Sequence, residues 1–275
     1  MSNQMGISLK RIRKQQNLSQ KEVSSGICAQ SMLSAIENGK YMPNARLLLS
    51  LCDRLSIRLD EINLNRNFLI SDEQKFNDVL SKLCNQHKYA ELKDFLLDTK
   101  TIDKVQTTKQ TQAYYYYLGV ASFQVDSNLK DAEQNLKLSV SSNDSVKTKS
   151  TLTRLGLVTL GFIQAKRGLP NQASALISKA MENVDEGNYE ENLNIIFYLA
   201  ALASYELKNL QKSLKWIENG ITYITSHDSH YMLANLYRLL AQIAEEDGQI
   251  DRQLEARRQS DFLKKLFNEK VNENF

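Results

Sequence analysis

The sequence predicts an all-α fold in two parts, and three observations carry that prediction. Its 275 residues hold only ten glycines and two prolines, the two residue types that interrupt helices. Apolar residues recur at helical spacing along most of the chain. Behind residue 70, pairs of such helices carry small residues that return about every forty positions. The length exceeds the ~100–200 residues of one domain, so two folding units are expected.

The N-terminal unit reads as five short helices. Leu9 and Ile12 lie on one face of a first helix that Asn17 can stop. Ser19 with Glu22 three residues on is a capping-box pattern, and Val23 and Ile27 continue the apolar face. A third helix runs from about Ala29 to Asn38, with Leu33 and Ile36 inward and Gly39 closing it. Asn44 begins a fourth helix carrying Leu47, Leu48, Leu51 and Leu55; Leu59 and Ile62 start a fifth.

Helices two and three, joined by a tight turn, match a helix-turn-helix, whose second helix enters the major groove by its N-terminal end. The outward residues of that helix are Gln30, Ser31, Ser34 and Ala35. A glutamine can bond adenine twice, and a serine can approach either strand. Charge agrees: residues 1–66 hold ten Lys/Arg against five acids, the remainder 25 against 27. On periodicity alone, a helical bundle with no DNA role fits equally well.

The runs Leu18-Ser19-Gln20-Lys21-Glu22-Val23 and Ser34-Ala35-Ile36-Glu37-Asn38-Gly39-Lys40, with Pro43 after them, resemble the Cro/repressor-like helix-turn-helix family. With Ile27-Cys28-Ala29-Gln30-Ser31 between them, the match over residues 6–62 is similar to the PlcR-like peptide-sensing quorum regulators of Gram-positive bacteria. The resemblance implies DNA-binding roles for seven residues. Gln20 and Asn38 would bond phosphates, with Lys40 nearby, while Gln30, Ser31, Ser34 and Ala35 would face base edges. It also implies a structural pair between Arg13 and Glu37. Ala35 departs from relatives with a long polar residue there.

The body reads as an α-solenoid. Leu160-Gly161, Ala200-Ala201 and Leu240-Ala241 lie forty residues apart, with Leu118-Gly119 before them. Ala173 and Ala180 follow Gly161, as Ser213 and Gly220 follow Ala201, so that neighbouring helices approach closely. The pattern resembles tetratricopeptide repeats, longer than the usual ~34 residues, and a right-handed superhelix is expected. Counting a degenerate copy around Phe76-Val79-Leu80-Leu83 gives about five repeats. The expected boundaries are 1–63 for the helix-turn-helix domain, 64–71 for a linker free of Pro and Gly that a helix could span, and 72–275 for the repeats.

Tetratricopeptide stacks take ligands on the concave side, lined by the first helix of each pair. If the Gly/Ala positions mark the eighth residue of each repeat, Tyr116 and Phe123 face that groove from the second repeat. The third contributes Leu155, Val158 and Phe162, and the fourth Ile195, Tyr198, Leu202 and Tyr205; Arg154 and Asn194, one residue before these rows, are further peptide-binding candidates. Asn235, Arg238 and Gln242 close the row in the fifth. An apolar, aromatic middle with polar ends suits an extended peptide, with Asn194, Asn235 and Gln242 bonding its amides and Arg238 a carboxylate. A tight superhelix whose aromatics pack on one another produces the same pattern.

Several function classes are set aside. No phosphate-cradling glycine loop, nucleophile elbow or His/Asp/Ser constellation is present, so no enzyme and no cofactor are expected. Cys28, Cys52 and Cys84 are widely spaced, which indicates neither disulfides nor a zinc site. His227 and His230 flank Asp228-Ser229, which reads as a loop, so no metal is expected. Four consecutive tyrosines, Tyr114 to Tyr117, point in four directions from a helix and serve mostly as packing. No apolar run approaches the ~18–20 residues that cross a bilayer, so no membrane partner is expected and the cytoplasm is the default compartment. The expected partners are a double-stranded operator, a short signalling peptide and a second copy of the chain, because helix-turn-helix readers bind paired half-sites. Two other readings share the architecture: a regulator whose groove takes a protein partner, and a repeat scaffold that modulates an enzyme without binding DNA.

Overall fold

In a computed structural model, residues 4–41, 43–56, 68–141, 149–186, 189–267, 269 and 271 are described. All regular structure among them is helical. The chain divides into two compact units, 1–68 and 69–275.

The first unit contains α1 (Gln4–Gln15), α2 (Gln20–Ser24), α3 (Gln30–Glu37) and α4 (Ala45–Arg54). The expected fifth helix, from Leu59, falls outside the described residues. Each start has a chemical cause. Ser19 Oγ accepts from Glu22 N, and the Glu22 carboxylate accepts from Ser19 N at 2.6 Å. Asn44 Oδ1 accepts from Leu47 N at 2.9 Å. Gly39, at φ +69°, follows the C-cap of α3, where a side chain would be strained.

Met5, Leu9, Val23, Leu33, Ile36, Leu51, Cys52 and Leu55 form the core of this unit. α1 meets α3 backbone to backbone: a Cβ on Gly6 would lie 1.9 Å from Ile36 O. Gly6 is therefore a contact requirement as well as a helix residue.

The second unit is five helix pairs: α5/α6 (Gln74–Asn85, Tyr89–Leu97), α8/α9 (Thr108–Asp126, Leu129–Ser141), α10/α11 (Thr151–Lys166, Pro170–Met181), α12/α13 (Asn194–Glu206, Leu210–Ser226) and α14/α15 (Leu233–Glu246, Ile250–Phe267). A one-turn helix, α7 (Thr99–Ile102), follows the first pair and starts where Asp98 Oδ1 accepts from Lys100 N. Nothing in the repeat pattern announced it. Of the expected linker, residues 64–67 lie outside the described residues and 69–71 are not helical.

The recurring small residues sit where helices touch. A Cβ on Gly119 would lie 2.8 Å from Leu136 Cγ, and one on Gly161 3.0 Å from Ile177 Cγ1. One second-helix position recurs as Ser139, Ala180, Gly220 and Ser260, all buried. There Ser139 Oγ donates to Gln112 O and Ser260 Oγ to Ala234 O, both at 2.8 Å. Gly220 takes the same place between Phe197 and Leu236. Four of the five pairs thus close on their own first helix at a residue with at most two heavy side-chain atoms.

Successive repeats are also tied at the start of their first helices. Gln112 Nε2 donates to Thr153 Oγ1 at 2.8 Å, and Asn194 Nδ2 to Tyr231 O at 3.0 Å. Asn235 Nδ2 donates to Glu269 Oε1 at 2.9 Å, so the segment after α15 receives the link that a further repeat would.

Candidate DNA-reading face and inner helix row

On α3 the core takes Leu33, Ile36 and Glu37, leaving Gln30, Ser31 and Asn38 exposed and Ser34 and Ala35 half-buried. The helix therefore presents a polar face of short side chains, with Gln30 and Ser31 in its first turn. Ala29 provides no side-chain cap, so that end stays open to an acceptor. Lys40 is exposed just beyond the other end.

A chain of hydrogen bonds fixes this face from beneath. Arg13 donates to both oxygens of Glu37, at 2.6 and 2.9 Å, and to Leu18 O at 2.8 Å. Gln20 Nε2 donates to Glu37 Oε2 at 2.8 Å, and Gln20 Oε1 accepts from Gln30 Nε2 at 3.2 Å. The Arg13–Glu37 pair tying α1 to α3 is present as the resemblance implied. Burial alone would raise the Glu37 carboxyl, but the bonds from Arg13 and Gln20 outweigh it and hold its pKa below the usual value of 4.5. At the far end, Lys10 Nζ donates to Asn38 Oδ1 at 3.1 Å, and Asn38 Nδ2 to Ser34 Oγ at 3.4 Å.

In the second unit, the residues expected along the groove fall into two sets. Tyr116, Val158, Phe162, Tyr198, Leu202 and Tyr205 are buried, and Phe123 is half-buried with its ring edge-on to Phe162 at 5.7 Å. Tyr116 meets Thr159 of the next repeat, and burial pushes its hydroxyl pKa well up. Tyr205 Oη donates to Glu246. Arg238 and Gln242 are half-buried, and Gln242 Nε2 donates to Glu246 Oε1 at 3.4 Å.

Arg154, Asn194 and Asn235 form the other set: buried polar side chains that tie distant parts of the domain together. Arg154 donates to Ala180 O, Glu182 O and Asn183 O, and so ends α11. Asn194 and Asn235 make the inter-repeat links described above. Helical spacing placed them near the inner row, but each also bonds an atom 26 or more residues away, beyond the reach of a local pattern.

The remaining marked features pack. Tyr114 Oη donates to Leu96 O at 3.1 Å, and Tyr117 is pushed well above its usual pKa by burial. His227 stacks on Tyr189 with centroids 4.2 Å apart, and His230 on Phe267 at 3.5 Å. Burial pushes the Cys84 thiol to about 12, so it is not a reactive thiolate. Among the described residues no helix is long and apolar enough to cross a membrane.

Residues 9–62 match the helix-turn-helix family model. No curated protein matches the chain. Over its whole length the chain is similar to PlcR of Bacillus thuringiensis, solved with the peptide PapR7 and DNA: 18% identity, TM-score 0.61, covering 97% of this chain and 96% of that one. It is also similar to ComR from S. thermophilus, solved with DNA and its signalling peptide ComS, at 13% identity and TM-score 0.54, covering 96% and 94%. The apo competence regulator ComR from Streptococcus vestibularis aligns at 15% identity and TM-score 0.51, covering 95% and 91%. The chain therefore carries an N-terminal helix-turn-helix domain on a repeat body and has, end to end, the fold of PlcR and ComR.

Proposed function

We propose that this protein is a DNA-binding transcription regulator whose repeat domain senses a short signalling peptide. The observation that carries the reading is the outer face of α3, polar, small and held by the Arg13–Glu37–Gln20–Gln30 chain. A pre-set glutamine spends no ordering entropy on reaching a base edge. In this reading Gln30, Ser31, Ser34 and Ala35 meet bases, while Gln20, Asn38 and Lys40 meet phosphates. The domain limits are 1–63, 64–71 and 72–275, and the protein acts in the cytoplasm as a homodimer on paired half-sites. No catalytic step is assigned to it.

The peptide reading rests on the inner row of first helices and on the peptide-bound state of the two relatives of the same fold. Tyr116, Phe123, Val158, Phe162, Tyr198, Leu202 and Tyr205 supply its apolar middle. Arg154, Asn194 and Asn235 set the spacing of the repeats, and Arg238 and Gln242 supply polar contacts near the open end. Peptide binding alters operator affinity by changing how two DNA-reading units are held.

The test is a gel shift with duplexes selected from a random pool by the full chain. Gln30→Ala is expected to weaken binding to the selected duplex about 5- to 100-fold and to relax one base position. Equal binding of random and selected duplexes would refute DNA reading. Short secreted peptides encoded beside the gene are then added. Unchanged operator affinity with a peptide that binds the chain would refute the coupling.

A further inference from the structure

Between the first and second helix pairs lies a cavity of about 360 Å³ that the inner row does not use. Its floor is α8, where Leu118 and Ser122 stand one turn apart, on another side of the helix from Tyr116 and Phe123. One wall is α6, with Lys93 and Leu97, and the other is α9, with Asp131 and Asn135. Ligand pockets span ~300–1,000 Å³, so an occupant of this one is small.

The lining offers two kinds of chemistry. Leu97, 51% exposed, and the buried Leu118 make an apolar patch. The remainder is polar, and part of it is held in place. At the start of α9 the Asp131 N–H donates to Asn128 Oδ1 at 3.1 Å, and Asp131 Oδ2 accepts from Asn128 Nδ2 at 2.8 Å. Neither bond uses Asp131 Oδ1, so a fixed carboxylate keeps an oxygen for a donor. Ser122 is 2% exposed, and among the described residues no group hydrogen-bonds its hydroxyl or the Asn135 amide. Buried polar groups normally have partners, and a hydroxyl on the floor of a cavity can take one from a ligand. Lys93 brings a positive charge to the wall that faces Asp131.

We propose that this cavity binds a free amino acid with an apolar side chain of about the size of leucine. Asp131 Oδ1 accepts from the ammonium group. Lys93, Ser122 and Asn135 donate to the carboxylate, and the side chain lies against Leu97 and Leu118. A cation and an anion on facing walls suit a zwitterion, because a ligand of single charge meets one of them as a like charge. The bound molecule touches α6 of one pair and α8 and α9 of the next, so it stabilises their stacking. The site shares no residue with the outer face of α3 or with the inner row, and it stands whether or not those readings do.

The test titrates the full-length chain with leucine, N-acetyl-leucine and leucinamide by calorimetry and by melting temperature. Leucine is expected to bind and to raise the melting temperature. N-acetyl-leucine lacks the ammonium group and leucinamide the carboxylate, and each is expected to bind at least about tenfold more weakly. Asp131→Asn and Lys93→Gln are each expected to weaken leucine binding at least about tenfold. Asp131→Asn should leave the affinity for N-acetyl-leucine unchanged, and Lys93→Gln that for leucinamide, a crossed pattern that misfolding does not give. Leu97→Trp should fill the cavity and abolish binding while leaving the melting temperature without ligand unchanged, since Leu97 is half exposed. Equal binding of all three compounds would overturn the zwitterion assignment, and leucine binding that no variant alters would overturn the site. So would a chain that binds none of leucine, isoleucine, valine and methionine.

Discussion

Two residues of the first unit decide more than their size suggests. Gly6 lets α1 rest on the end of α3, and the 1.9 Å between its missing Cβ and Ile36 O cannot be absorbed by turning a side chain. Gly6→Ala is therefore expected to cost at least about 1–3 kcal/mol by overpacking, read as a lower urea midpoint. Glu37 is the hub beneath the outer face of α3, 1% exposed and bonded by Arg13 and Gln20. Glu37→Gln leaves Arg13 without its charge partner and is expected to cost about 3 kcal/mol. The same bonds set a pH dependence. Since the folded carboxyl is held below its unfolded value of 4.5, its contribution is complete above that pH and is lost as pH falls through the folded value. Urea midpoints from pH 7 down to pH 3 should show this loss in wild type and lack that component in Glu37→Gln.

At the scale of single elements, much was legible because local chemistry sets it. The Ser19 capping box, the Gly39 stop and the Asn44 cap each lie within a few residues of the atoms they bond, so spacing alone located α2, α3 and α4. The return of Gly119, Gly161 and Gly220 marked helix contacts, since only a missing Cβ permits such approach. What spacing could not show was the partner. Arg154 looked like an inner-row cation, but it serves the end of α11. Asn194 and Asn235 looked like peptide ligands and proved to link repeats. α7 was hidden because Asp98 caps a single turn inside what reads as a loop. Gly220→Val puts its Cβ 2.8 Å from Phe197 Cβ and 3.0 Å from Leu236 Cδ1. Because α13 is pinned between α12 and α14, that variant is expected to lose at least about 1–3 kcal/mol.

At the scale of the molecule, the chain divides into two compact units, and the first has a buried apolar cluster of its own. The first unit, residues 1–68, is smaller than the second, residues 69–275, and small domains bury a smaller share of their surface. Two unfolding transitions are therefore expected from the full chain, the smaller enthalpy belonging to residues 1–68, since enthalpy scales with residue number. Differential scanning calorimetry of three proteins checks the assignment. Gly6→Ala should lower only the smaller transition, and Gly220→Val only the larger, because contacts within a unit cannot be relieved from outside it. A single transition that both variants shift together would mean that the units fold as one. In the proposed function, the peptide signal would then reach α3 as folding cooperativity rather than as a change in how two DNA-reading units are held. Two separately shifted transitions leave the units as independent bodies, as the proposed change in how two DNA-reading units are held requires.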